Sequence, residues 1–494
     1  MLRRKIPRQI GYIIGTHLLW VANRYSLSGC SIFREERMST VKWPPGPSSI
    51  PALQLRAFLR DRIGFLNQQA QRYGDISTFR IGTHHTVFIN HPDLIKDVLV
   101  TNSHSYHKGR GLERAKKVLG NGLLTSEDEI HLTQRRLIQP AFHRERIAAY
   151  GSIATVAVLN LDREWRTGVT VDITAEMFRL TLGIVGRTLF GADIEQEAAE
   201  VSEVWEDLIT SFNWSMMPFG AAWEYIPSPG SLRFRNARKR LDELVYRLIK
   251  QHEEDKVPRN DLLAMLISAR DDENSNKQMD TEQLRDEALT IMMAGHETTA
   301  NALSWTWVLL SQHPEIMQKL DREISFVLGE RLPTYEDIPR LVYTRKVISE
   351  SLRLFPPAWA IGRRAIAEVR LGDYTIPKDA IVLMSPSVTQ RDVRWFKDPH
   401  IFDPDRWVEE NEESRPKFAY FPFGGGPRTC IGEQFAWMEM ILLIASISQR
   451  WKITLAPDAK VEQDPVITLR PKPGLWMTLE SRVTKTGPRY VNLD

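Results

Sequence analysis

The chain has 494 residues, 42% of them apolar and 26% charged, the balance of a folded globular protein. Its 65 basic and 62 acidic residues leave a formal charge of +3, too even to argue for nucleic acid. Two cysteines, Cys30 and Cys430, exclude a disulfide framework and favour a reducing compartment, so a cytoplasmic location is expected.

Residues 1–42 read as a basic and apolar extension. Arg3, Arg4, Lys5 and Arg8 precede Ile10 to Ala22, an apolar stretch broken by His17. A membrane span needs roughly 20 apolar residues. This shorter stretch reads as a peripheral anchor at a membrane surface, or as unstructured chain. Met38 is an alternative start, and residues 1–37 are expected to be dispensable for folding. Pro44, Pro45, Gly46 and Pro47 make a stiff turn into the body. No later linker is long enough to divide residues 43–494. One domain is expected, mainly α with small β-sheets, the strands falling at 76–90, 368–384 and 466–480.

His131 and Arg135 lie one helical turn apart on one face, where both can reach a carboxylate. An aromatic-rich segment follows near 205–230, with Trp205, Phe212, Trp214, Met216, Met217, Phe219 and Trp223. The polar run 271–281 reads as a solvated loop. From Asp280 to Gln312 a helix is expected, about 48 Å long at 1.5 Å per residue. Asp280 and Gln283 are placed for a capping box. Within this helix stands Ala294-Gly295-His296-Glu297-Thr298-Thr299. Gly295 costs about 1 kcal/mol relative to Ala, and close approach of a ligand is the expected compensation. Thr298 can bond back to a carbonyl and loosen the helix, opening a groove beside the acid Glu297. A zinc-protease reading fails, because the required second histidine is Ala300.

Glu350 and Arg353 share a helix face. Taken alone, such a pair reads as an ordinary surface ion pair. The apolar stretch Pro357 to Ile361 and then Arg363 follow. Last comes Phe421-Pro-Phe-Gly-Gly-Gly-Pro-Arg-Thr-Cys430-Ile-Gly, opening a helix. A helix N-terminus favours thiolate. Glycines admit a flat cofactor without clashes, and Arg428 can reach an anionic group beside a metal. A lone thiolate excludes a zinc or iron–sulfur site here. It suits the axial position of a haem, where thiolate promotes O–O cleavage. The alternative is an inert buried cysteine.

Phe423, Gly426, Arg428, Cys430 and Gly432 resemble the haem-binding loop of the cytochrome P450 family, and the resemblance runs from about Trp43 to Leu479. It implies the single-domain P450 fold and haem b with Cys430 as the axial iron ligand. It implies that Glu297 and Thr298 deliver protons to dioxygen, with Ala294 against the haem. Glu350, Arg353 and Arg406, from Phe402-Asp-Pro-Asp-Arg-Trp407, would form a structural triad under the loop. His131, Arg135, Arg363 and Arg428 match propionate-binding positions, although His131 stands where Trp is more usual. Gln390 stands where the family often has His, and is not expected to touch haem. The substrate pocket is expected along Ile291, Ala294, Ala358, Trp359 and Ala360, for a lipophilic molecule such as a terpenoid or fatty acid.

The function implied is monooxygenation, by hydroxylation or epoxidation, with O2 and a separate electron donor. That donor would be a ferredoxin or flavodoxin with its reductase, or a flavoprotein reductase. Arg135, Arg136, Arg144 and Arg146 are candidates for steering it. A monomer is expected. Two other readings remain: a peroxide-rearranging haem enzyme, which does not need the Glu297–Thr298 pair, and a haem-based sensor or carrier without turnover.

Overall fold

A computed structural model describes residues 42–482 except 83, 196, 198–200, 205, 206, 208–227, 256–258, 260, 270–277, 409–412 and 473. The N-terminal extension, most of the aromatic-rich 205–230 segment and most of the polar 271–281 run therefore lie outside the described residues.

The chain enters through its proline turn. Trp43 stacks on His85 at 4.2 Å, and the Thr78 amide donates to the Pro45 carbonyl at 2.8 Å. Two helices follow, α1 (Pro51–Arg60) and α2 (Arg62–Tyr73), then strands β1 (Ile76–Ile81) and β2 (His84–Ile89). The remaining strands are β3 (Tyr106–Lys108), β4 (Thr170–Asp172), β5 (Ile361–Ala365), β6 (Val369–Leu371), β7 (Tyr374–Ile376), β8 (Ile381–Met384), β9 (Trp451–Leu455), β10 (Gln463–Pro465), β11 (Leu469–Pro471) and β12 (Trp476–Ser481). The main sheet runs β1-β2-β8-β5-β3, with β2 and β8 parallel and the other pairs antiparallel. Its edge register sets Lys108 opposite Arg363. β12 lies between β4 and β9, while β6–β7 and β10–β11 form separate two-stranded pairs.

Helices make up most of the body: α3 (Arg110–Leu119), α4 (Asp128–Ile138), α5 (Arg144–Glu164), α6 (Ile173–Leu189), α7 (Pro229–Glu254), α8 (Leu262–Ser268), α9 (Thr281–Gln312), α10 (Pro314–Leu328), α11 (Val342–Leu354) and α12 (Glu433–Arg450). The long helix α9 begins where its cap predicts. Asp280 accepts from the Gln283 amide at 2.8 Å, and only this half of the expected capping box forms. α9 is buried along almost its whole length and packs on α6, α7, α11 and α12. An amphipathic surface helix shows one apolar stripe, whereas α9 is covered on all sides. Trp305 on α9 stacks on Phe355 at 4.2 Å, fixing the helix to the chain beyond α11.

Gly295 sits where α6 crosses. A Cβ there would lie 3.2 Å from Val185 Cγ2, so close helix packing also favours glycine at this position. The Thr181 hydroxyl, also on α6, donates to the His296 carbonyl at 3.0 Å. Among the described residues no helix is long and apolar enough to cross a membrane.

Candidate active site

The loop before α12 is built by backbone bonds. The Cys430 amide donates to the Phe423 carbonyl at 3.0 Å, closing the loop on itself. Gly424 and Gly426 have φ of 74° and 68°, the left-handed region that glycine enters without cost. A Cβ on Gly426 would stand 1.9 Å from the Leu99 carbonyl oxygen. Arg135 Nη1 donates to the Thr429 carbonyl at 2.8 Å, which binds α4 to the residue before the cysteine.

Burial pushes the Cys430 thiol up to about 11, against the pull of the Gly432 amide and the Arg135 charge. The expected thiolate bias of a helix N-terminus is therefore outweighed by desolvation. Yet Cys430 has an open surface. α9 has a matching feature. Ala294 is exposed and Gly295 and Thr298 are partly open, in the middle of a helix that is otherwise buried. Thr298 Oγ1 donates to the Ala294 carbonyl at 2.9 Å, the back-bond expected of it. Glu297 is buried, and its Oε1 accepts from Thr468 at 2.6 Å.

Beneath the loop, Glu350 and Arg353 are completely buried. Glu350 Oε1 accepts from Arg353 Nη2 and Arg406 Nε, both at 2.8 Å, and from the Asp403 amide at 3.0 Å. Its Oε2 accepts from Arg353 Nε at 2.8 Å and Trp407 Nε1 at 3.0 Å. Arg353 spends its remaining donors on the Gln390, Pro399 and Ile401 carbonyls. The three predicted structural residues thus meet. Gln390 joins them to the cysteine loop: it donates to the Leu352 and Arg353 carbonyls and accepts from the Phe421 amide at 3.0 Å.

A positive cluster lies beside the loop. Burial, together with Arg428, Lys108, Arg135 and Arg363, pushes His131 down to about 3. Burial and then Arg428 lower Arg363 to about 10. The same two causes, in the same order, bring Lys108 to about 7. Arg428 pairs with Glu127 and donates to the Ser126 carbonyl at 2.8 Å.

A family model described as Cytochrome P450 matches residues 44–477. The chain belongs to the cytochrome P450 family. Among its relatives is cyclooctatin synthase of Streptomyces melanosporofaciens, 38% identical over 81% of this chain and 88% of the relative. Cyclooctat-9-en-7-ol 5-monooxygenase of the same organism is 36% identical over 84% and 91%. Pentalenene oxygenase of Streptomyces avermitilis is 34% identical over 83% and 91%. The structure of a cyanobacterial CYP120A1 with retinoic acid bound aligns over 90% of this chain and all of its own, at TM-score 0.79 and 27% identity. The protein is a cytochrome P450 monooxygenase, an oxidoreductase of single-domain P450 fold. Such enzymes use O2, a separate redox partner and a hydrophobic substrate, and the family implies haem on a cysteine thiolate.

The residues present fit that cofactor. The only cysteine among the described residues has an open surface, and a coordinated thiol is deprotonated by its metal whatever its own affinity for protons. Cations whose proton affinity is lowered first by burial and then by one another suit carboxylates supplied from outside the chain. Sequence reasoning missed Lys108, whose Nζ donates to the Leu123 and Ser126 carbonyls at 2.9 and 2.6 Å. It also missed Glu127, Trp407 and Thr468. Only the Arg363–Lys108 pairing across β5 and β3 would have pointed to Lys108, and no local signal predicts that register. Ile291 is buried on α9, and Ala358 and Ala360 are partly open. Trp359 is instead turned into a small core with Phe58, Phe65 and Phe79, its indole N–H on the Val466 carbonyl at 3.2 Å.

Proposed function

We propose that this P450 inserts one oxygen atom from O2 into a cyclic terpenoid alkene or alkenol, using haem b ligated by Cys430. The carrying observation is the open strip at Ala294, Gly295 and Thr298 within an otherwise buried helix, paired with the open surface of Cys430. In this reading the two surfaces bound one slot. The names of two relatives, cyclooctat-9-en-7-ol 5-monooxygenase and pentalenene oxygenase, support the substrate class.

The balanced reaction is RH + O2 + 2 e− + 2 H+ → ROH + H2O. The haem supplies O2 activation, assisted by electron donation from the thiolate. His131, Arg135, Arg363 and Lys108 would hold its carboxylates, and Arg428 fixes the loop through Glu127. Glu297 and Thr298 move protons from the buried interior to the open strip. Ile291, Ala294, Ala358 and Ala360 give the substrate an apolar wall and keep water out. The Glu297–Thr298 pair favours this chemistry over peroxide rearrangement or simple carriage, neither of which needs a proton relay.

Residues 43–494 act as the haem domain, and 1–42 as a dispensable extension. The enzyme works as a cytoplasmic monomer. Electrons come from a ferredoxin or flavodoxin with its reductase, or from a flavoprotein reductase. The test is a carbon monoxide difference spectrum of the reduced protein, followed by titration with pentalenene. A strongly red-shifted Soret band that is lost in Cys430→Ser, and a spin-state shift with pentalenene, are expected. A histidine-type Soret band overturns the ligand assignment. A spin-state shift with fatty acids but not with pentalenene overturns the substrate class.

A further inference from the structure

Thr468 lies in the turn between β10 and β11, far in sequence from the acid it touches. Its hydroxyl donates to Glu297 Oε1 at 2.6 Å and accepts from Asn301 Nδ2 at 3.2 Å. All three side chains are buried. Glu297 and Asn301 are one helical turn apart on α9, so the hydroxyl bridges two residues of the same face. With its acceptor side taken by Asn301, the single Thr468 proton is committed to Glu297, and linked bonds of this kind strengthen one another.

The turn carrying Thr468 is itself held on three sides. Trp359 Nε1 donates to the Val466 carbonyl at 3.2 Å and Trp305 Nε1 to the Leu469 carbonyl at 3.0 Å. The Leu469 amide donates to the Pro357 carbonyl at 2.8 Å. Two buried indoles and a backbone bond thus fix a hairpin turn whose hydroxyl points at the carboxylate next to Thr298.

We propose that Thr468 is a positioning residue for Glu297: it holds the carboxylate in the orientation from which protons reach Thr298, and so decides how much of the consumed O2 escapes as hydrogen peroxide. Peroxide release needs two electrons and two protons per O2, and full reduction to water needs four of each. Delivery of the later protons separates the two outcomes. The inference rests on the proposed relay through Glu297.

The test uses the ferric and turning-over holoenzyme with a surrogate ferredoxin and its reductase, and dioxygen alone as the probe. Thr468→Val should retain full haem content and lower the water-to-peroxide ratio by about tenfold to a hundredfold, the size of one hydrogen bond to a carboxylate. Thr468→Ser should restore it. In the resting ferric enzyme, the infrared carboxylate band assigned by subtraction of Glu297→Gln should shift in Thr468→Val and return in Thr468→Ser. An unshifted band, or a wild-type ratio in Thr468→Val, overturns the proposal. A valine variant that loses haem, with a serine variant that keeps haem but not the wild-type ratio, also overturns it, because the role is then only structural. If Glu297→Gln itself leaves the ratio unchanged, the relay fails first. If Glu297→Gln lowers the ratio and Thr468→Val does not, the relay stands and only the positioning role falls.

Discussion

A carboxylate taken out of water survives as an anion only where donors meet both oxygens, and two buried glutamates answer that demand in opposite ways. Glu350 receives donors from Arg353, Arg406, Trp407 and the Asp403 amide. Removing one partner of a buried ion pair typically costs about 3–5 kcal/mol, because the other charge is left uncompensated. Glu350→Ala strands two arginines beneath the cysteine loop, so protein that cannot retain haem is expected, read as the haem-to-protein absorbance ratio after gel filtration. Normal haem content would remove Glu350 from this role. Glu287 on α9 accepts from the Leu123 amide at 2.9 Å through one oxygen, while the other has no hydrogen-bond partner. Burial, with the nearby Asp286 adding to it, pushes its carboxyl up to about 8. An unfolded glutamate ionises near pH 4.3. Between these values the native state holds a proton that the unfolded state has released, so this group makes stability fall as pH rises from about 4.3 towards 8. Glu287→Gln removes that dependence. Denaturant unfolding should show the variant stabilised by about 3 kcal/mol or less at pH 7.5, with little change at pH 4. Equal effects at both pH values would place the cost in packing rather than in protonation.

Elements whose logic is local were legible in the sequence, and those set by distant partners were not. The cap at Asp280, the Thr298 back-bond and the glycines of the cysteine loop each depend on neighbours within a few residues, and each appears where the pattern put it. The Glu350 triad needed the family pattern, because Arg406 is remote in sequence and a Glu–Arg pair on a helix is ordinary. Strands β3 and β5 are short, carry charged residues and lack clean alternation, so periodicity passed over them. Yet it is their register that sets Lys108 against Arg363. Gly295 was legible as special, but Val185 of α6, a contact no local window contains, adds a second constraint there, 3.2 Å from where a Cβ would stand. The loop offers the sharper test. At Gly426 a positive φ and the Leu99 carbonyl both oppose a side chain. Gly426→Ala must shift the loop or the Leu99 backbone, a strain costing more than about 1 kcal/mol. Reduced haem occupancy is expected, together with a carbon monoxide complex that converts to the histidine-type Soret position. A wild-type spectrum would mean that the loop yields more easily than its contacts imply.

At the scale of the whole molecule the formal charge is almost neutral, so a docking preference must come from where the charges sit. The cysteine loop meets α4 through the Arg135–Thr429 bond, and Phe142, which a Cβ on Gly432 would meet at 3.7 Å, packs edge-on against Phe435. The chain on either side of Phe142 carries Arg136 and Arg144, both exposed, and Arg146, partly so. Arg345 is exposed on α11 and lies 4.2 Å over the Trp437 ring of α12, the helix that follows the cysteine loop. Basic side chains are therefore gathered on the elements packed around the cysteine loop. An acidic donor protein is expected to dock there. Exposed charges are screened over about 8–10 Å at ordinary ionic strength, so the bimolecular reduction rate should fall steeply between low and high salt. Arg144→Glu should slow reduction at low salt several-fold and flatten the salt dependence, while leaving the carbon monoxide spectrum unchanged. Stopped-flow reduction across a salt series measures both. A rate indifferent to salt would mean that the donor finds this surface by apolar contact and that the arginines do not steer it. A steep salt dependence that Arg144→Glu leaves untouched would move the docking site away from the Phe142 turn, to another face of the molecule.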